Sequence, residues 1–388
     1  MSAISSIDFL IVGAGFSGLV TAERLTNAGF RCVVIDQRDH LGGNAYDCYD
    51  EAGVLIHPYG PHYFRTNSQR IIDYLSRFTE WHPVEYEIKS FTRNQYWSFP
   101  INLNTFEEWL GRSSTEEEWS AWLEKTKVAI DHPQNSEEVI VSQVGWELYR
   151  TFFEPYTLKQ WKLHPRELQA SVCGRIPIRL NRDNRYLTDA FQALPANGYT
   201  AMFQSMVDQS PGIEVKLSTS FAEAQERYSY KHLIFTGPID AYFNHCFGAL
   251  PYRSLRFERE SYQGTELTAR EEISGKKGHW QPAMQVNYPD LDVPYTRTVE
   301  IKHATGQKIA ATTVIREFPD DWSPSKEPFY PIPTDDSSEL YARYRALADQ
   351  EQHVSFIGRL GTYRYYNMDQ VTGMALTEAE KLIKRYSR

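Results

Sequence analysis

The segment Asp8-Phe-Leu-Ile-Val12-Gly13-Ala14-Gly15-Phe16-Ser17-Gly18 decides the fold of this 388-residue chain. A continuous apolar run that ends at glycine, here residues 8–12, predicts a strand that is covered on both faces. Apolar positions at helical spacing in residues 16–28, followed by Gly29, predict a short helix that stops at glycine. Cys32-Val-Val-Ile35 predicts the next buried strand. A strand, a helix and a strand within about thirty residues predict an α/β nucleotide-binding domain.

Three glycines and one acid give this segment a dinucleotide-binding signature. Gly13 allows the tight turn, Gly15 lets the backbone approach a pyrophosphate, and Gly18 lets the helix pack close to the sheet. The free N–H groups at the helix N-terminus then favour phosphate. Asp36 ends the second strand, 18 residues after Gly18. Its carboxylate can accept a hydrogen bond from a ribose 2′-hydroxyl, which favours NAD or FAD over NADP.

A second glycine pair favours FAD over NAD. Arg38 and the stretch Leu41-Gly42-Gly43-Asn44 follow Asp36 directly. Glycines at this place let the backbone lie against a long, extended ligand, and the pattern resembles the glutathione-reductase-like flavoproteins. A simple Gly-Gly turn is the alternative. The chain has no second GxGxxG motif, which disfavours a dehydrogenase that carries both an FAD and an NAD domain.

Composition excludes several classes of function. The net charge of −9 disfavours a nucleic-acid partner, which needs a basic face. The four cysteines are widely spaced, without CxxC or CxxH, so we expect no zinc site and a reducing compartment. The sequence contains no run of 18 apolar residues, so we expect no membrane span and a cytoplasmic protein. The aromatic share of 14% suits both core packing and stacking platforms for bases and sugars.

The remaining segments predict two insertions into the nucleotide-binding domain. We expect that domain to comprise residues 1–80, 199–251 and 330–388. A helical domain is predicted for residues 102–172, and a sheet domain for residues 81–101, 173–198 and 252–329. Alternation of polar and apolar residues predicts strands in residues 295–302 and 308–315. The polar stretch of residues 263–282 is interpreted as a surface turn.

Arginines gather with tyrosine or tryptophan in several places, among them Arg182-Asp-Asn-Arg185-Tyr186 and Gly358-Arg-Leu-Gly-Thr-Tyr-Arg-Tyr-Tyr366. Each cluster alone fits surface charge beside core aromatics. Together they fit a nucleoside diphosphate sugar, because guanidinium groups bind phosphate oxygens in a bidentate manner and aromatic rings stack on a base.

Four segments resemble the UDP-galactopyranose mutases of the bacterial type. They are Gly42-Gly-Asn-Ala-Tyr46, Gly60-Pro-His-Tyr-Phe-Arg-Thr-Asn67, Tyr156-Thr-Leu-Lys-Gln-Trp161 and Gly358-Arg-Leu-Gly-Thr-Tyr-Arg-Tyr-Tyr-Asn-Met-Asp369. The resemblance runs in order from Phe9 to about Ala375. It implies an α/β fold with a Rossmann-like FAD-binding domain, an inserted helical domain that binds uridine, and a twisted antiparallel sheet.

The resemblance also assigns residues to three kinds of site, and no metal site is expected. The FAD site is expected to contain Gly13, Gly15, Phe16, Ser17, Gly18, Asp36, Gln37, Arg38, Gly43, Asn44, Arg359, Met368 and Asp369. The substrate site is expected to contain Phe152, Tyr156, Trp161, Tyr186, Asn287, Tyr330 and Tyr365. The residues expected to take part in the chemistry are Arg175, Arg297, His62, Arg65 and Arg359.

The family's reaction is an isomerisation without net redox change. By resemblance, reduced FAD attacks the anomeric carbon through N5 and expels UDP. The flavin–sugar adduct opens, the sugar recloses as a furanose, and UDP returns. Arg175 and Arg297 are expected to hold the diphosphate, with Arg359 between flavin and phosphates and His62 beside the flavin ring. An external reductant for the flavin and a homo-oligomer are also expected, in cell-surface polysaccharide synthesis.

One departure from the family pattern matters, because it leaves the sugar open. Relatives usually carry a second histidine three residues after His62, where this chain has Arg65. We therefore keep UDP-N-acetylgalactosamine beside UDP-galactose as a substrate, alone or as a second one. An FAD-dependent amine oxidase is the alternative from another class, since it shares the N-terminal motif. The Arg175 and Arg297 pair disfavours it, because an amine offers no phosphate.

Overall fold

The computed structural model describes residues 5–323 and 325–387. The strands, in chain order, are β1 (Ser5–Val12), β2 (Cys32–Ile35), β3 (Cys48–Tyr49), β4 (Leu55–Ile56), β5 (Phe64–Thr66), β6 (Trp81–Pro83), β7 (Ile88–Thr92), β8 (Gln95–Phe99), β9 (Phe191–Pro195), β10 (Ile213–Lys216), β11 (Tyr228–Phe235), β12 (Tyr252–Tyr262), β13 (Gln285–Asn287), β14 (Arg297–Val299), β15 (Thr312–Asp321), β16 (Tyr330–Pro331) and β17 (Val354–Phe356).

The helices, in chain order, are α1 (Phe16–Asn27), α2 (Gln69–Leu75), α3 (Leu103–Leu110), α4 (Glu116–Thr126), α5 (Ser136–Leu148), α6 (Glu154–Trp161), α7 (Ser171–Gly174), α8 (Tyr199–Asp208), α9 (Phe221–Arg227), α10 (Ile239–Tyr242), α11 (Gly264–Ser274), α12 (Lys302–Thr305), α13 (Asp335–Ala348), α14 (Gly358–Gly361) and α15 (Met368–Tyr386). Short 3-10 turns lie at Gly43–Ala45 and Pro165–Glu167, and a π-helical turn spans Tyr149–Phe153.

A parallel sheet of five strands, in the order β10-β2-β1-β11-β17, carries the predicted glycine motif. Val12 pairs with Ile35 on one side and with Phe235 on the other, so these strands end at one level. The carboxyl edge of such a sheet is the usual place for a ligand. The predicted α/β fold is confirmed, and β2 has the predicted bounds.

Both faces of the parallel sheet are covered, which explains its apolar strands. On one face, Phe9 and Ile11 of β1 pack in a core shared with α1, α8 and α15. On the other face, Leu10 packs in a second core with buried residues of α9 and α13. A strand that is buried on both sides cannot alternate with polar residues, so it appears in the sequence as a continuous apolar run.

A second, mixed sheet has the order β16-β12-β15-β14-β13-β7-β8. Its neighbours are antiparallel except for β13 and β7, which run parallel. The sheet that was predicted to be antiparallel is so at every pair except this one. The chain between β7 and β13 is long enough for the crossover that parallel strands need. Helices α3, α4, α5 and α7 pack on this side around an apolar core that also includes Ile88 of β7 and Trp97 of β8.

Two local predictions are corrected. The stretch of residues 263–282 is not a turn, because it contains helix α11, whose Leu267 is buried and whose C-cap is Gly275 in the left-handed conformation. The strand predicted for residues 295–302 is shorter, since only Arg297–Val299 pairs and Lys302 already begins α12. Periodicity over so few residues does not separate a strand from a helical turn.

The division into domains stays an interpretation. A small antiparallel sheet of β5, β9 and β6 joins segments that the sequence assigns to different domains.

None of the helices formed by residues 5–323 and 325–387 is both long and apolar enough to cross a membrane.

Candidate active site

Two cavities meet between the parallel sheet and the mixed sheet. The first, which we call the groove, has a volume of about 760 Å³ and follows the carboxyl edge of the parallel sheet from Asp36 to Gly358. The second, which we call the cleft, has a volume of about 250 Å³ and lies between α6 and the mixed sheet. His62 and Arg359 line both cavities, so a ligand in one can touch a ligand in the other.

The glycines of the groove are required by close approach. A Cβ atom on Gly18 would lie 1.8 Å from the carbonyl oxygen of Gly13. A Cβ atom on Gly13 would lie 2.0 Å from the hydroxyl of Thr236, and the φ angle of Gly13 is +107°. Side chains therefore cannot fill the start of α1, which leaves its N-terminal N–H groups open to a phosphate.

The acid at the end of β2 is held in place by backbone donors. The Ala14 N–H donates to one Asp36 oxygen at 2.8 Å, and the Arg38 N–H donates to the other at 3.0 Å. The Arg38 guanidinium donates to Asn44 and to Glu327, each at 2.8 Å. The two backbone bonds fix Asp36 at the groove, where a ribose hydroxyl can reach its remaining lone pairs.

The helical side of the cleft depends on a break in a helix. Gly145 has φ of +73° inside α5, and a Cβ atom there would lie 2.3 Å from the carbonyl oxygen of Thr126. The π-helical turn that follows places Phe152 and Phe153 at the cleft. Helix α6 then begins, and it brings Tyr156, Gln160 and Trp161 to the same cavity.

The opposite wall of the cleft comes from two neighbouring strands. Asn287 of β13 and Arg297 of β14 are cross-strand partners, and both line the cleft. The Tyr63 hydroxyl donates to Gln285 at 2.7 Å, and Gln285 donates to Asn287 at 2.7 Å. Tyr63 and Gln285 therefore orient the Asn287 amide, and neither of them was predicted.

Arg297 is a largely enclosed cation of the cleft, with 18% of its side chain exposed. Its guanidinium lies 2.8 Å from the carboxylate of Glu317, which is 1% exposed. Among the described residues, neither oxygen of Glu317 has a hydrogen-bond partner beyond this ion pair. Burial is the largest single effect and disfavours the charge of Arg297, but Glu317 together with the nearby tyrosine hydroxyls raises the pKa of Arg297 well above its usual value. Nothing in the sequence marks Glu317 among the 50 acidic residues of the chain.

Arg175 and Arg359 gather around Tyr365. Arg175 lies 5.0 Å and Arg359 lies 4.7 Å from the centre of the Tyr365 ring. Arg359 is also anchored, since it donates to the carbonyl of Tyr366 at 2.7 Å. Together with Arg297, these residues make the cleft a site for anions within a chain of negative net charge.

The same arginines change the acidity of Tyr365. Enclosure of the hydroxyl disfavours its ionisation, but Arg175 and Arg359 outweigh this effect and lower the pKa of Tyr365 to about 8. The residue as a whole is 48% exposed. Tyr365 thus carries a titratable hydroxyl at the rim of an anion site.

His62 is neutral at the junction of the two cavities. Burial, with the nearby His57 and Arg359, lowers the pKa of His62 to about 3. Its Nδ1 lies 2.8 Å from the carbonyl oxygen of Gly60, so Nδ1 carries the proton and donates. Nε2 of His62 is then a hydrogen-bond acceptor and not an acid.

Arg65 lies in the wall of the cleft on β5. Its guanidinium donates to Asp189 at 2.6 Å. Asn67, at the end of the same segment, also donates to Asp189, at 3.4 Å. The charge of Arg65 is therefore compensated within the protein, while the residue still faces the cleft.

The structure brings nearly all the predicted site residues together. Every predicted substrate and chemistry residue lines the cleft, and most predicted FAD residues line the groove. Two predicted FAD residues do not: Gly18 packs behind the lining against Gly13, and Asp369 is the second residue of α15. The roles of all these residues stay predictions.

Comparison with known proteins identifies the family. The model of the UDP-galactopyranose mutase family matches residues 151–365, more than half of the chain. The chain belongs to the UDP-galactopyranose mutase family. A model of NAD(P)-binding Rossmann-like domains matches residues 11–78. The predicted family, the isomerase activity and the FAD cofactor are confirmed, and the glycine-lined groove fits that cofactor.

Members of this family and one near relative align along almost the whole chain. A probable UDP-galactopyranose mutase of Klebsiella pneumoniae is 36% identical over 97% of this chain and 94% of its own. A dTDP-fucopyranose mutase of Escherichia coli is 33% identical over 97% of this chain and 98% of its own. The relatives therefore differ in both the nucleotide and the sugar that their names give.

Solved structures show the fold. A reduced UDP-galactopyranose mutase superposes with a TM-score of 0.78 over 99% of this chain and 95% of its own, at 18% identity. A putrescine oxidase bound to putrescine superposes with a TM-score of 0.58 over 98% of this chain and 99% of its own, at 14% identity. The fold is shared with an amine oxidase, so the residues of the cleft must distinguish the two activities.

Proposed function

We propose that this family member interconverts the pyranose and furanose forms of a UDP-sugar, with UDP-galactose as the substrate. One observation carries the proposal: three arginines converge on a cleft that opens into the FAD groove at His62 and Arg359. A diphosphate held by these arginines would place its sugar toward the cofactor. An amine substrate offers nothing for three guanidinium groups to bind.

The arginines would hold UDP both before and after the bond to the sugar breaks. Guanidinium groups bind phosphate oxygens in a bidentate manner, and an enclosed site strengthens each contact. Arg297 is held in place by Glu317, and Arg359 by the Tyr366 carbonyl. Such fixed donors stabilise the charge that develops on the leaving phosphate. UDP can then stay bound until the sugar recloses.

Covalent chemistry would come from the cofactor, since bound FAD in its reduced form supplies a nucleophilic nitrogen to the anomeric carbon. None of the described side chains that line the cleft is a carboxylate. The cleft therefore offers no carboxylate to activate water, and His62, with its pKa of about 3, does not supply an acid. These features favour isomerisation over hydrolysis.

A product assay tests the proposal. Enzyme with FAD reduced by dithionite is expected to convert UDP-galactopyranose to its furanose form without oxygen, as resolved by chromatography. Oxidised enzyme is expected to be inactive. Oxygen consumption with an amine, and no furanose from reduced enzyme, would show an amine oxidase instead. Because the chain has no second dinucleotide motif, an external donor would have to reduce the flavin.

UDP-N-acetylgalactosamine is a second candidate substrate. Arg65 stands in the cleft where relatives usually have histidine, and its guanidinium is longer and always charged. It could donate to the carbonyl of an N-acetyl group. The same assay on both UDP-sugars, with dTDP-fucopyranose as a third, measures which nucleotide sugar the reduced enzyme prefers.

A further inference from the structure

Lys159 of helix α6 faces away from the cleft. Tyr156, Gln160 and Trp161 of this helix line the cleft, whereas Lys159 does not. The Lys159 side chain reaches toward residues 288–296, the loop that connects β13 with β14. We call this segment the hairpin loop. Lys159 is thus a contact between the two opposite walls of the cleft.

The ammonium group of Lys159 is surrounded by backbone carbonyls of the hairpin loop. Its Nζ atom lies 2.6 Å from the oxygen of Tyr288, 2.7 Å from that of Asp290, 2.8 Å from that of Val293 and 3.1 Å from that of Tyr295. An ammonium has three donors and no acceptor, so four oxygens share its protons. Burial lowers the pKa of Lys159 to about 8, although Asp290 and Asp292 oppose this.

The hairpin loop needs this cation. Four carbonyl dipoles point their negative ends at one place, and in a partly buried site such oxygens repel each other unless a donor lies between them. The loop is also anchored at its far side, where the Thr92 hydroxyl of β7 donates to Asp290 at 2.5 Å. Lys159 thus joins this loop to the helical side of the cleft.

The hairpin loop closes directly on the cleft. The Tyr288 N–H donates to the Thr296 carbonyl at 2.8 Å. The next residues outward are Asn287 and Arg297, which are cross-strand partners and line the cleft. A shift of the loop therefore moves Asn287 and Arg297 relative to α6.

We propose that Lys159 is a positioning residue that sets the distance between α6 and the β13–β14 pair, and thereby the affinity of the cleft for the UDP part of the substrate. The inference rests on the proposed function, because it assumes that the cleft binds UDP. Lys159 itself touches no ligand.

A second buried lysine offers a matched control. Lys302 of α12 is 4% exposed, and its Nζ donates to three backbone carbonyls, those of Gly278, Ile309 and Ala311, at 2.8–2.9 Å. It lines neither the cleft nor the groove. Replacing Lys302 removes a comparable set of bonds without touching the walls of the cleft.

The test compares Lys159→Met with Lys302→Met as FAD-loaded, reduced proteins at pH 7, where Lys159 is charged. We expect Lys159→Met to raise the Kd for UDP by about tenfold or more, which corresponds to one or two lost charge-assisted bonds. FAD occupancy and the flavin absorption spectrum should stay unchanged. Lys302→Met should bind UDP as the wild type does, even if it melts at a lower temperature. Hydrogen exchange should quicken in the hairpin loop of Lys159→Met alone.

Further outcomes keep the inference open to refutation. Lys159→Gln keeps two N–H donors, so its Kd for UDP should lie between that of Lys159→Met and that of the wild type. This variant also provides the test if Lys159→Met does not fold. An unchanged Kd for UDP in the Lys159 variants, or an equal rise in Lys302→Met, would overturn the inference. If the wild type binds UDP but makes no furanose, only the proposed function fails. If the wild type binds no UDP, both fail.

Discussion

The groove and the cleft are built in different ways. The groove is shaped by backbone, with glycines where a Cβ atom would collide, and much of it comes from residues 12–45. The cleft is shaped by side chains that come from residues as far apart as Asn44 and Met368. The backbone fixes the shape of the groove, because side chains are excluded at its glycines, and a fixed shape suits a single cofactor. A side-chain site can change one residue at a time, and relatives named for different nucleotide sugars are consistent with that.

A side chain at a glycine of the groove should have the largest effect on cofactor binding and activity. Gly18→Ala would place a Cβ atom 1.8 Å from the Gly13 carbonyl, so α1 must move and the pyrophosphate site is lost. We expect the purified variant to lack FAD and all mutase activity, as measured by flavin absorbance and product assay. Gly373→Ala in α15 is the control, since its Cβ would lie 3.6 Å from Ile71, an ordinary contact. Full FAD occupancy in Gly18→Ala would contradict this account of the groove.

Removing the enclosed arginine of the cleft should leave the groove intact. Arg297→Ala is expected to lower kcat/KM about a hundredfold or more, because a fixed donor to the leaving phosphate is lost. The flavin spectrum should not change. The variant should also lose about 3–5 kcal/mol of unfolding free energy, because Glu317 stays buried without its partner.

A double variant separates these two effects of Arg297. Arg297→Ala with Glu317→Gln should regain much of the stability in thermal unfolding, since the buried charge is gone. It should not regain turnover. Recovery of turnover in the double variant would show that the arginine acts only through stability.

The hydroxyl of Tyr365 should make UDP binding depend on pH. Above its pKa of about 8, the phenolate is a negative charge beside Arg175 and Arg359 and competes with the diphosphate. The Kd for UDP of the wild type, divided by that of Tyr365→Phe, should rise about tenfold between pH 7 and 9. Other titrating groups change the Kd values of both proteins equally, so they do not affect the ratio. A constant ratio would mean that Tyr365 stays protonated in this range.

The same hydroxyl should make the protein more stable as the pH rises, although it weakens UDP binding there. The pKa of Tyr365 is about 8 in the folded protein and about 10 when unperturbed. The unfolded state therefore holds more protons between these values, and the unfolding free energy of the wild type should rise with pH there relative to Tyr365→Phe. This gain in unfolding free energy is lost as the pH falls through 8.

The smallest expected effect concerns the choice of sugar. Arg65→His should shift the ratio of kcat/KM values toward UDP-galactose over UDP-N-acetylgalactosamine, by a few-fold for one polar contact. Arg70→His, an exposed arginine of α2 paired with Glu380, is the control and should leave the ratio unchanged. An equal ratio in Arg65→His and the wild type would show that Arg65 does not read the 2-substituent.

Local sequence patterns predicted the nucleotide-binding half well. The strand from Cys32 to Ile35, the helix from Phe16 and the acid at Asp36 follow from periodicity, glycine positions and spacing. These signals work because each is a property of a few consecutive residues. Helix α11 was missed because the local signal is weak there: a single buried leucine in a polar stretch gives no clear helical periodicity.

The sequence by itself determined the parallel sheet, the dinucleotide signature and the family, because those are written in short contiguous motifs. Only the tertiary structure decided how the cleft is held together. Glu317 beneath Arg297, Asp189 beside Arg65 and the hairpin loop around Lys159 each join residues far apart in the chain. Charge compensation acts through space and leaves no mark in local spacing. For that reason the predicted arginines could be named from the sequence, while the groups that position them could not.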